Sequence, residues 1–252
     1  MFAGFQATFK NEQFQVKTKF IHTYVSVDCV VFGFDNNQLT ILLVQFSRDQ
    51  SGDKNLKLPG SLIYDQEDVD DAAQRILFEL TGIKRVNLRQ FRCFASPDRV
   101  RHPADMKWLG RAYQSGIDRL ITVAYLSIGK IDRKLKNISR FKLTQWCRLD
   151  ELPALPFDHN RIVEEARIEI RRWIDHDPVI IFDLLPSKFT ISQLHALYEA
   201  AYNRKIDVRN FHKKVKRMEY VVPLEEKQTD VKHRAARFYR FDKVMYNKRV
   251  RL

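Results

Sequence analysis

Runs of β-branched and large apolar residues, separated by turn residues, occur through the first half of the chain and predict a β-rich domain. Tyr24–Gln45 contains two such runs around a turn at Asp35–Asn37, which predicts a hairpin. Leu56–Gly60 predicts a short strand that ends at a Pro-Gly pair. Later runs predict the strands Leu88–Ala95, Leu120–Ser127 and Thr144–Arg148.

Two stretches between and after these strands have apolar residues at helical spacing. In Asp68–Leu80 the apolar side chains recur every three to four residues, and Gly82 is placed to end the helix. Asn160–Ile174 predicts a second helix, rich in alternating charges, which ends before the breaker sequence Asp175–Pro178. The segment Ser96–Asp118 is polar and basic and predicts a loop that is too long to be a simple connection.

The C-terminal part of the chain has the pattern of two short helices joined by a tight turn. Thr190–Tyr202 begins with a T-x-x-Q capping box and has apolar residues at helical spacing. After a short polar turn, Asp207 is placed to cap a second helix, Val208–Met218, which is strongly basic. Two predicted strands follow, Tyr220–Leu224 and Ala236–Phe241, so the whole pattern predicts a winged helix-turn-helix.

The charge distribution supports this interpretation. The formal net charge is +13, and Ile181–Leu252 holds 17 of the 44 Lys and Arg residues but only 8 of the 31 Asp and Glu residues. A basic C-terminal region is typical of nucleic-acid binding, and a solvated basic surface would have the same composition. No apolar run approaches the roughly 18 residues of a membrane span, and the three cysteines lie far apart. We expect a cytoplasmic protein with reduced thiols and no membrane partner.

Candidate chemistry is concentrated in Ser61–Ile83, which fits the Nudix box (G-x5-E-x7-R-E-U-x-E-E-x-G-U, U apolar) without a gap. The matching positions are Glu67, Arg75, Leu77, Glu79, Gly82 and Ile83, and the departures are Ser61, Ile76 and Leu80. A hard divalent cation needs several converging oxygen ligands, and one remaining helical carboxylate, Glu79, is too few. We therefore expect a sensor with no catalytic residues and no requirement for magnesium.

A degenerate Nudix box followed by a winged helix resembles the Nudix-related transcriptional regulators, over nearly the whole chain. The stretches that carry the resemblance are Val27–Phe34, Asp150–His159, Leu184–Tyr202, Asp207–Val215 and Arg234–Phe241. In this family, repressors of NAD metabolism respond to ADP-ribose, and a Bacteroidetes group that controls arabinose use responds to arabinose. Val69–Gly82 resembles the Bacteroidetes group, whereas Ser96–Asp118 is longer than the Arg-Asp-Pro-Arg-like loop that the family usually has near its effector pocket.

By this resemblance the fold is α+β, with an N-terminal Nudix-like α/β/α sandwich and a C-terminal winged helix-turn-helix domain. The implied organisation is an N-terminal arm (1–21), a degenerate Nudix-like effector-sensing domain (22–157), a linker helix (158–177) and a winged-helix DNA-binding domain (178–252). The resemblance also implies a homodimer that binds a palindromic double-stranded DNA operator. A small effector, ADP-ribose or a sugar such as arabinose, would regulate this binding.

The candidate DNA-binding residues lie on the second basic helix and in the tip between the last two strands. Arg209 and Asn210 are near the start of the helix, from which side chains reach base edges, and the other cations are better placed for phosphates. The full set is Arg209, Asn210, Lys213, Lys214, Lys216, Arg217, Lys232 and Arg234. Each of them could also be an ordinary solvated side chain.

The candidate effector-binding residues are Arg75, Glu79 and Arg119. Arg119 opens the strand after the long loop, where it could face an anionic or sugar ligand or remain solvated. Arg75 and Glu79 could instead stabilise the box loop together with Glu67. His159 is interpreted as a capping or packing histidine, because no nucleophile accompanies it.

Two other functions remain open from the sequence. An active magnesium-dependent Nudix hydrolase of a nucleoside diphosphate derivative, with an appended nucleic-acid-binding domain, would need carboxylates from outside the box helix, such as Asp65 or Asp68. A structural RNA-binding protein is disfavoured, because the C-terminal pattern predicts a groove-docking helix and not an aromatic stacking platform.

Overall fold

The computed structural model describes residues 24–46, 55–84, 86–113, 116–117, 119–131, 143–229 and 235–250. The strands are β1 (Tyr24–Asp35), β2 (Gln38–Phe46), β3 (Asn55–Lys57), β4 (Gly60–Leu62), β5 (Arg89–Phe94), β6 (Leu120–Lys130), β7 (Thr144–Arg148), β8 (Phe189–Thr190), β9 (Val221–Lys227) and β10 (Arg237–Phe241). The helices are α1 (Val69–Thr81), α2 (Pro103–Tyr113), α3 (His159–His176), α4 (Ile191–Tyr202), α5 (Val208–Lys216) and α6 (Lys243–Val250). Leu149–Glu151 and Pro178–Leu184 form short 3-10 helices.

A mixed sheet forms the centre of the N-terminal domain. Within the described residues its main order is β3-β2-β1-β6-β5, with β4 paired to β1 and β7 paired to β2. Strands β1 and β6 run parallel, and the other pairs in this sheet are antiparallel. The predicted hairpin turn is present at Asn36 and Asn37, whose φ angles of 48° and 64° lie in the left-handed region that asparagine tolerates.

The two faces of this sheet pack against different helices, because successive side chains of a strand point to opposite sides. Val27 and Val31 of β1 lie in one core with the buried face of α1. Val30 and Phe32 lie in a second core, which also contains α3 and the C-terminal helices α4 and α5. The predicted α/β/α sandwich is therefore present, and its second core is continuous with the C-terminal domain.

The C-terminal domain has the predicted winged-helix architecture. Thr190 and Gln193 form the predicted capping box at the start of α4, and Asn203 ends that helix in the left-handed conformation with φ 49°. Asp207 caps α5 by accepting a hydrogen bond from the backbone N–H of Asn210 at 2.8 Å. Strands β8, β10 and β9 form the wing sheet. The predicted DNA contacts of the wing tip, Lys232 and Arg234, lie outside the described residues.

Two helices differ from the sequence-based prediction. The prediction of a loop over Ser96–Asp118 is wrong in its middle part, where α2 begins at Pro103 and buries Leu109. Its only strongly buried apolar side chain is Leu109, so the helix depends on tertiary contacts more than on a regular apolar pattern. Helix α6 follows the wing and was not predicted. Among the helices that the structure describes, none combines the length and apolar character that a membrane span requires.

Candidate functional sites

The surviving charged residues of the box form a closed ionic network. Arg75 Nε and Nη2 donate to the two carboxylate oxygens of Glu67 at 2.5 and 2.7 Å, and Nη1 donates to Glu79 Oε2 at 3.1 Å. Nη2 also donates to the carbonyl oxygen of Leu62 at 3.1 Å, and the guanidinium lies 3.9 Å from the ring centroid of Tyr64. The hydrogen bond from Arg75 holds the pKa of Glu67 below its ordinary value. This network fixes the box loop against α1.

Two of the three predicted effector-binding residues, Arg75 and Glu79, belong to this network. Arg75 is shared between Glu67 and Glu79 on the side of α1, and the contact of Arg75 and Glu79 with an effector stays a prediction. Arg119 donates from Nη2 to the carbonyl oxygen of Ala95 at 2.6 Å, and its Nη1 is buried without a hydrogen-bond partner in the described part of the chain. Within those residues, no group of three or more His, Cys, Asp and Glu side chains is arranged to hold a metal ion.

A second cluster of ionisable side chains lies inside the sandwich, and the sequence did not reveal it. Asp28 of β1 is 5% exposed and accepts a hydrogen bond from the Thr122 hydroxyl at 2.7 Å. Lys57 is 7% exposed and donates from Nζ to the carbonyl oxygen of Gly60 at 2.6 Å. A Cβ atom at Gly60 would lie 1.9 Å from Asp28 Oδ1. Glycine is therefore required where β4 passes the carboxylate.

Arg99 connects this cluster to the beginning of α3. Its Nε donates to Asp158 Oδ1 at 3.1 Å and its Nη2 donates to the same oxygen at 2.9 Å. Nη2 is also 3.6 Å from Asp28 Oδ2, and the side chain of Arg99 is 1% exposed. The remaining nitrogen, Nη1, is buried and has no hydrogen-bond partner in the part of the chain that the structure describes.

The first residue of α3, His159, completes the cluster. Its Nδ1 accepts a hydrogen bond from the backbone N–H of Leu58 at 3.2 Å, so the ring proton of the neutral form is on Nε2, which lies 3.5 Å from Asp28 Oδ1. Burial lowers the pKa of His159 from 6.5 to about 4 against the opposing effect of Asp28. Burial raises the pKa of Asp28, but His159, Arg99 and Lys57 outweigh it and the net shift is downward. The imidazole of His159 is therefore neutral at neutral pH. Burial also lowers the pKa of Lys57, against the opposing effect of Asp28.

These side chains line a cavity of about 30 Å³ beneath α2. The other lining residues include Ser61, Leu62, Trp108, Leu109, Tyr113 and Phe157. The hydroxyl groups of Ser61 and Tyr113 are 3.3 Å apart, and Asp105 of α2 accepts a hydrogen bond from the backbone N–H of Phe157 at 2.9 Å. A space of this size holds about one water-sized group. We call it the sub-α2 pocket, since three of its lining residues belong to α2.

Replacing His159 with Asn is expected to flatten the acid dependence of stability. Because the pKa is 6.5 in the unfolded chain and about 4 in the folded chain, only the unfolded chain binds a proton between these values. The contribution of His159 to the free energy of unfolding is therefore fully present above the pKa of the unfolded chain, 6.5. Its contribution falls with pH toward the folded pKa, by up to about 1.4 kcal/mol per pH unit. Urea unfolding at a series of pH values measures this slope.

The His159→Asn variant keeps an oxygen that can accept from Leu58 N but no longer titrates in this range. His176 is exposed at the end of α3, so His176→Asn is the matched control and should retain the wild-type slope. An unchanged slope in the His159→Asn variant would show that other groups cause the acid dependence.

The recognition helix α5 presents a basic face opposite its buried face. Phe211 and Val215 are buried in the domain core. The predicted contacts that lie in the described residues are all exposed, namely Arg209, Asn210, Lys213, Lys214, Lys216 and Arg217. Lys214 differs from the others because its Nζ lies 4.3 Å from the ring centroid of Tyr198, which directs it toward α4. An open cavity of about 630 Å³ beside α5 is lined by Lys213, Lys214 and Arg217.

Taken together, these features define a Nudix-type domain with a small pocket beneath α2, joined through one core to a winged helix with an exposed basic face. Residues 22–166 match the family model of the NUDIX domain, and residues 181–241 match that of the NrtR DNA-binding winged helix domain. The chain therefore belongs to the Nudix family, in the NrtR-type group of DNA-binding transcriptional regulators.

Individual relatives agree with this assignment. The chain is 25% identical over 231 residues to the ADPR responsive transcriptional repressor NtrR of Acinetobacter baylyi. The aligned region covers 89% of this chain and 84% of that protein. The structure of Shewanella oneidensis NrtR with a 27mer DNA has 21% identity and a TM-score of 0.60, and covers 86% of this chain and 93% of that one. A MutT/nudix family protein from Enterococcus faecalis has 20% identity and a TM-score of 0.58, with coverage of 89% and 88%. At these identities the two structural matches establish the fold.

Proposed function

We propose that this regulator is a homodimeric repressor that binds a palindromic operator and that an effector bound in its Nudix domain controls DNA binding. The observation that carries the proposal is the position of α3. This helix begins at the sub-α2 pocket with His159, and its buried face belongs to the core that contains α4 and α5. A change at the pocket therefore has a packed, continuous path to the DNA-binding domain.

The proposed effector carries a pentose ring, as ADP-ribose and arabinose both do. The sub-α2 pocket offers aromatic surface from Trp108 together with the charged groups of Asp28, Lys57 and Arg99. Aromatic faces pack against the apolar face of a sugar, and charged donors and acceptors bind its hydroxyl groups. The relative from Acinetobacter baylyi is named for its response to ADP-ribose, so we take ADP-ribose as the first candidate and free arabinose as the second.

Effector binding at this place would require α2 to move. Ligand pockets usually have volumes of roughly 300–1,000 Å³, whereas the sub-α2 pocket has about 30 Å³. The contacts of α2 over the pocket include Ser61 with Tyr113, Asp105 with the backbone of Phe157, and the apolar packing of Leu109. Displacing α2 would open the pocket while leaving the sheet intact.

The homodimer and the palindrome are proposed from the geometry of helix-turn-helix regulators, in which two recognition helices contact half-sites about one helical turn apart. Light scattering would measure the mass of the particle. Selection of binding sites from randomised duplexes would reveal a palindrome, and a set of unrelated, asymmetric sites would contradict this part of the proposal.

The effector is tested by fluorescence anisotropy with a duplex that the protein itself has selected. Adding ADP-ribose should change the dissociation constant of the protein–DNA complex by a factor of about 5–150, the usual size of allosteric coupling. ADP is the control, because it lacks the terminal ribose, and arabinose is the alternative ligand. A complex whose affinity does not respond to ADP-ribose or arabinose would contradict the proposal.

The protein is not expected to hydrolyse ADP-ribose, with or without magnesium. Glu67 and Glu79, the remaining box carboxylates, are both paired with Arg75, and too few oxygen ligands remain to bind a hard cation. Hydrolysis of the diphosphate linkage at a Nudix site depends on the metal, so turnover should not exceed the uncatalysed background. Chromatography of ADP-ribose incubated with protein and magnesium checks this. Sustained hydrolysis that Glu79→Gln abolishes would establish the hydrolase as the correct alternative.

A further inference from the structure

Arg99 links the sub-α2 pocket to the beginning of α3 through charged hydrogen bonds to Asp158. Among the residues that the structure describes, no other residue of the pocket hydrogen-bonds to Asp158 through its side chain. Two of its nitrogens are bound to Asp158, and the third, Nη1, is buried without an acceptor. A buried guanidinium donor without a partner is unfavourable. An oxygen that entered the pocket and accepted from Nη1 would therefore gain a strong, charge-assisted hydrogen bond.

Asp158 occupies the N-cap position of α3 but does not cap it. Its side chain makes no hydrogen bond to the first turn of the helix, and its backbone has φ −98° and ψ 24°. N-cap residues usually have extended backbone angles and accept from a backbone N–H of the first turn, and Asp is among the best at this. The carboxylate is instead bound to Arg99. It thus has two possible partners, Arg99 and the helix it precedes.

Helix α3 is built to transmit a change at this end. It has 18 residues, which correspond to about 27 Å of helix, and its inner residues Ile162, Val163, Ala166, Ile170 and Ile174 are buried. At its other end, Asp175 accepts a hydrogen bond from Tyr202 of α4 at 2.5 Å, and Asp177 accepts one from Tyr246 of α6 at 2.7 Å. A packed helix moves as a unit, so a shift at Asp158 would reach both contacts.

We propose that Arg99 and Asp158 form the switch through which the effector acts on the winged helix. A phosphate or hydroxyl oxygen of the effector accepts from Arg99 and draws the guanidinium into the pocket. Asp158 is then released and caps α3, and the helix moves against α4 and α6. This inference rests on the proposed function, in that the effector must bind in the sub-α2 pocket.

The variant Asp158→Ser tests the switch, because serine caps helices well but cannot form an ion pair with Arg99. Full-length protein is compared with wild type in its affinity for the selected duplex, without ligand and with saturating ADP-ribose. The ligand-free variant should bind the duplex as ADP-ribose-bound wild type does, and ADP-ribose should change its affinity by less than about twofold. Because the variant lacks the ion pair that the effector would have to break, it should also bind ADP-ribose more tightly than wild type, by a factor in the usual range of allosteric coupling, about 5–150.

Asp98→Ser is the matched control. Asp98 lies in the same turn as Arg99, pairs with Arg101 at 2.6 Å, and has a side chain that is 67% exposed. This variant should behave as wild type in all measurements. A merely structural role for Asp158 predicts the opposite outcome for the test variant, namely weaker ADP-ribose binding with an unchanged response of DNA affinity.

Different experimental results would contradict the proposed switch and the proposed function. If wild-type protein does not respond to ADP-ribose or arabinose, the proposed effector is wrong, and the ligand-free comparison still decides the switch. Asp158→Ser would then have to differ from Asp98→Ser in duplex affinity by roughly fivefold or more. Equal ligand-free affinities overturn the switch in every case. If Asp158→Ser does not fold, Asp158→Asn, which keeps the shape and loses the charge, takes its place under the same criteria.

Discussion

Asp28→Asn is expected to lower the free energy of unfolding by about 3–5 kcal/mol, the usual effect of removing one partner from a buried ionic cluster. The carboxylate of Asp28 is 5% exposed and lies near Lys57, Arg99 and His159. Without that charge, Lys57 loses the carboxylate that opposes the lowering of its pKa by burial. Its hydrogen bonds among the described residues then go to the backbone carbonyl oxygens of Leu58 and Gly60. Urea unfolding at neutral pH, followed by circular dichroism, measures the change.

The control and the second variant separate charge from packing. Asp65 is exposed in the box loop, so Asp65→Asn removes one carboxylate at the surface and should change stability by less than about 0.5 kcal/mol. Adding Lys57→Met to Asp28→Asn removes the buried amine that has lost its carboxylate and should recover part of the loss, since an apolar group tolerates burial. If Asp28→Asn is as stable as Asp65→Asn, the cluster does not have the energetic role assigned to it.

The elements that were predicted well are those whose signals are local. Helix α1 begins and ends within one residue of the prediction, because its apolar spacing and the left-handed Gly82 (φ 77°) are encoded in consecutive residues. The same is true of the Asn36–Asn37 turn and of the capping box at Thr190. Helix α2 was missed because its few apolar residues pack on a pocket formed by distant parts of the chain.

The candidate site was harder to predict for the same reason. Arg75 and Glu79 are neighbours on one helix, so their pairing could be anticipated from their spacing. The cluster around Asp28 combines residues from β1, β3, the loop before α2 and the start of α3, which only the fold brings together. One signal was available, however. Asp28 lies within a largely apolar strand, and a carboxylate in such a position must find buried partners.

For the DNA interface, replacing both Lys213 and Lys216 with Ala should weaken binding to all duplexes and reduce its salt dependence. Both side chains are exposed on α5 and belong to its last turn, where contacts to phosphates are expected. Each lost phosphate contact should reduce the slope of log affinity against log salt by about 0.9, so the double variant should lose almost two. Anisotropy titrations over a range of salt concentrations measure the slope.

The control for this variant removes the same charge from the other domain. Lys84 and Lys107 are exposed outside the winged helix, so Lys84→Ala/Lys107→Ala changes the net charge equally without touching α5. Its slope should equal that of wild type. If both double variants reduce the slope by the same amount, the effect reflects overall charge and α5 is not the contact surface.

Arg209→Ala should have a different effect, because Arg209 lies in the first turn of α5, next to the helix N-terminus that Asp207 caps. An arginine at this position can donate two hydrogen bonds to a guanine, and loss of such a contact costs about 1–3 kcal/mol of discrimination between bases. Affinity for the selected duplex should therefore fall much more than affinity for random duplexes. The ratio of the two affinities is the decisive quantity. If both fall equally, Arg209 contacts phosphate, and sequence recognition must come from other residues of α5 or from the shape of the duplex.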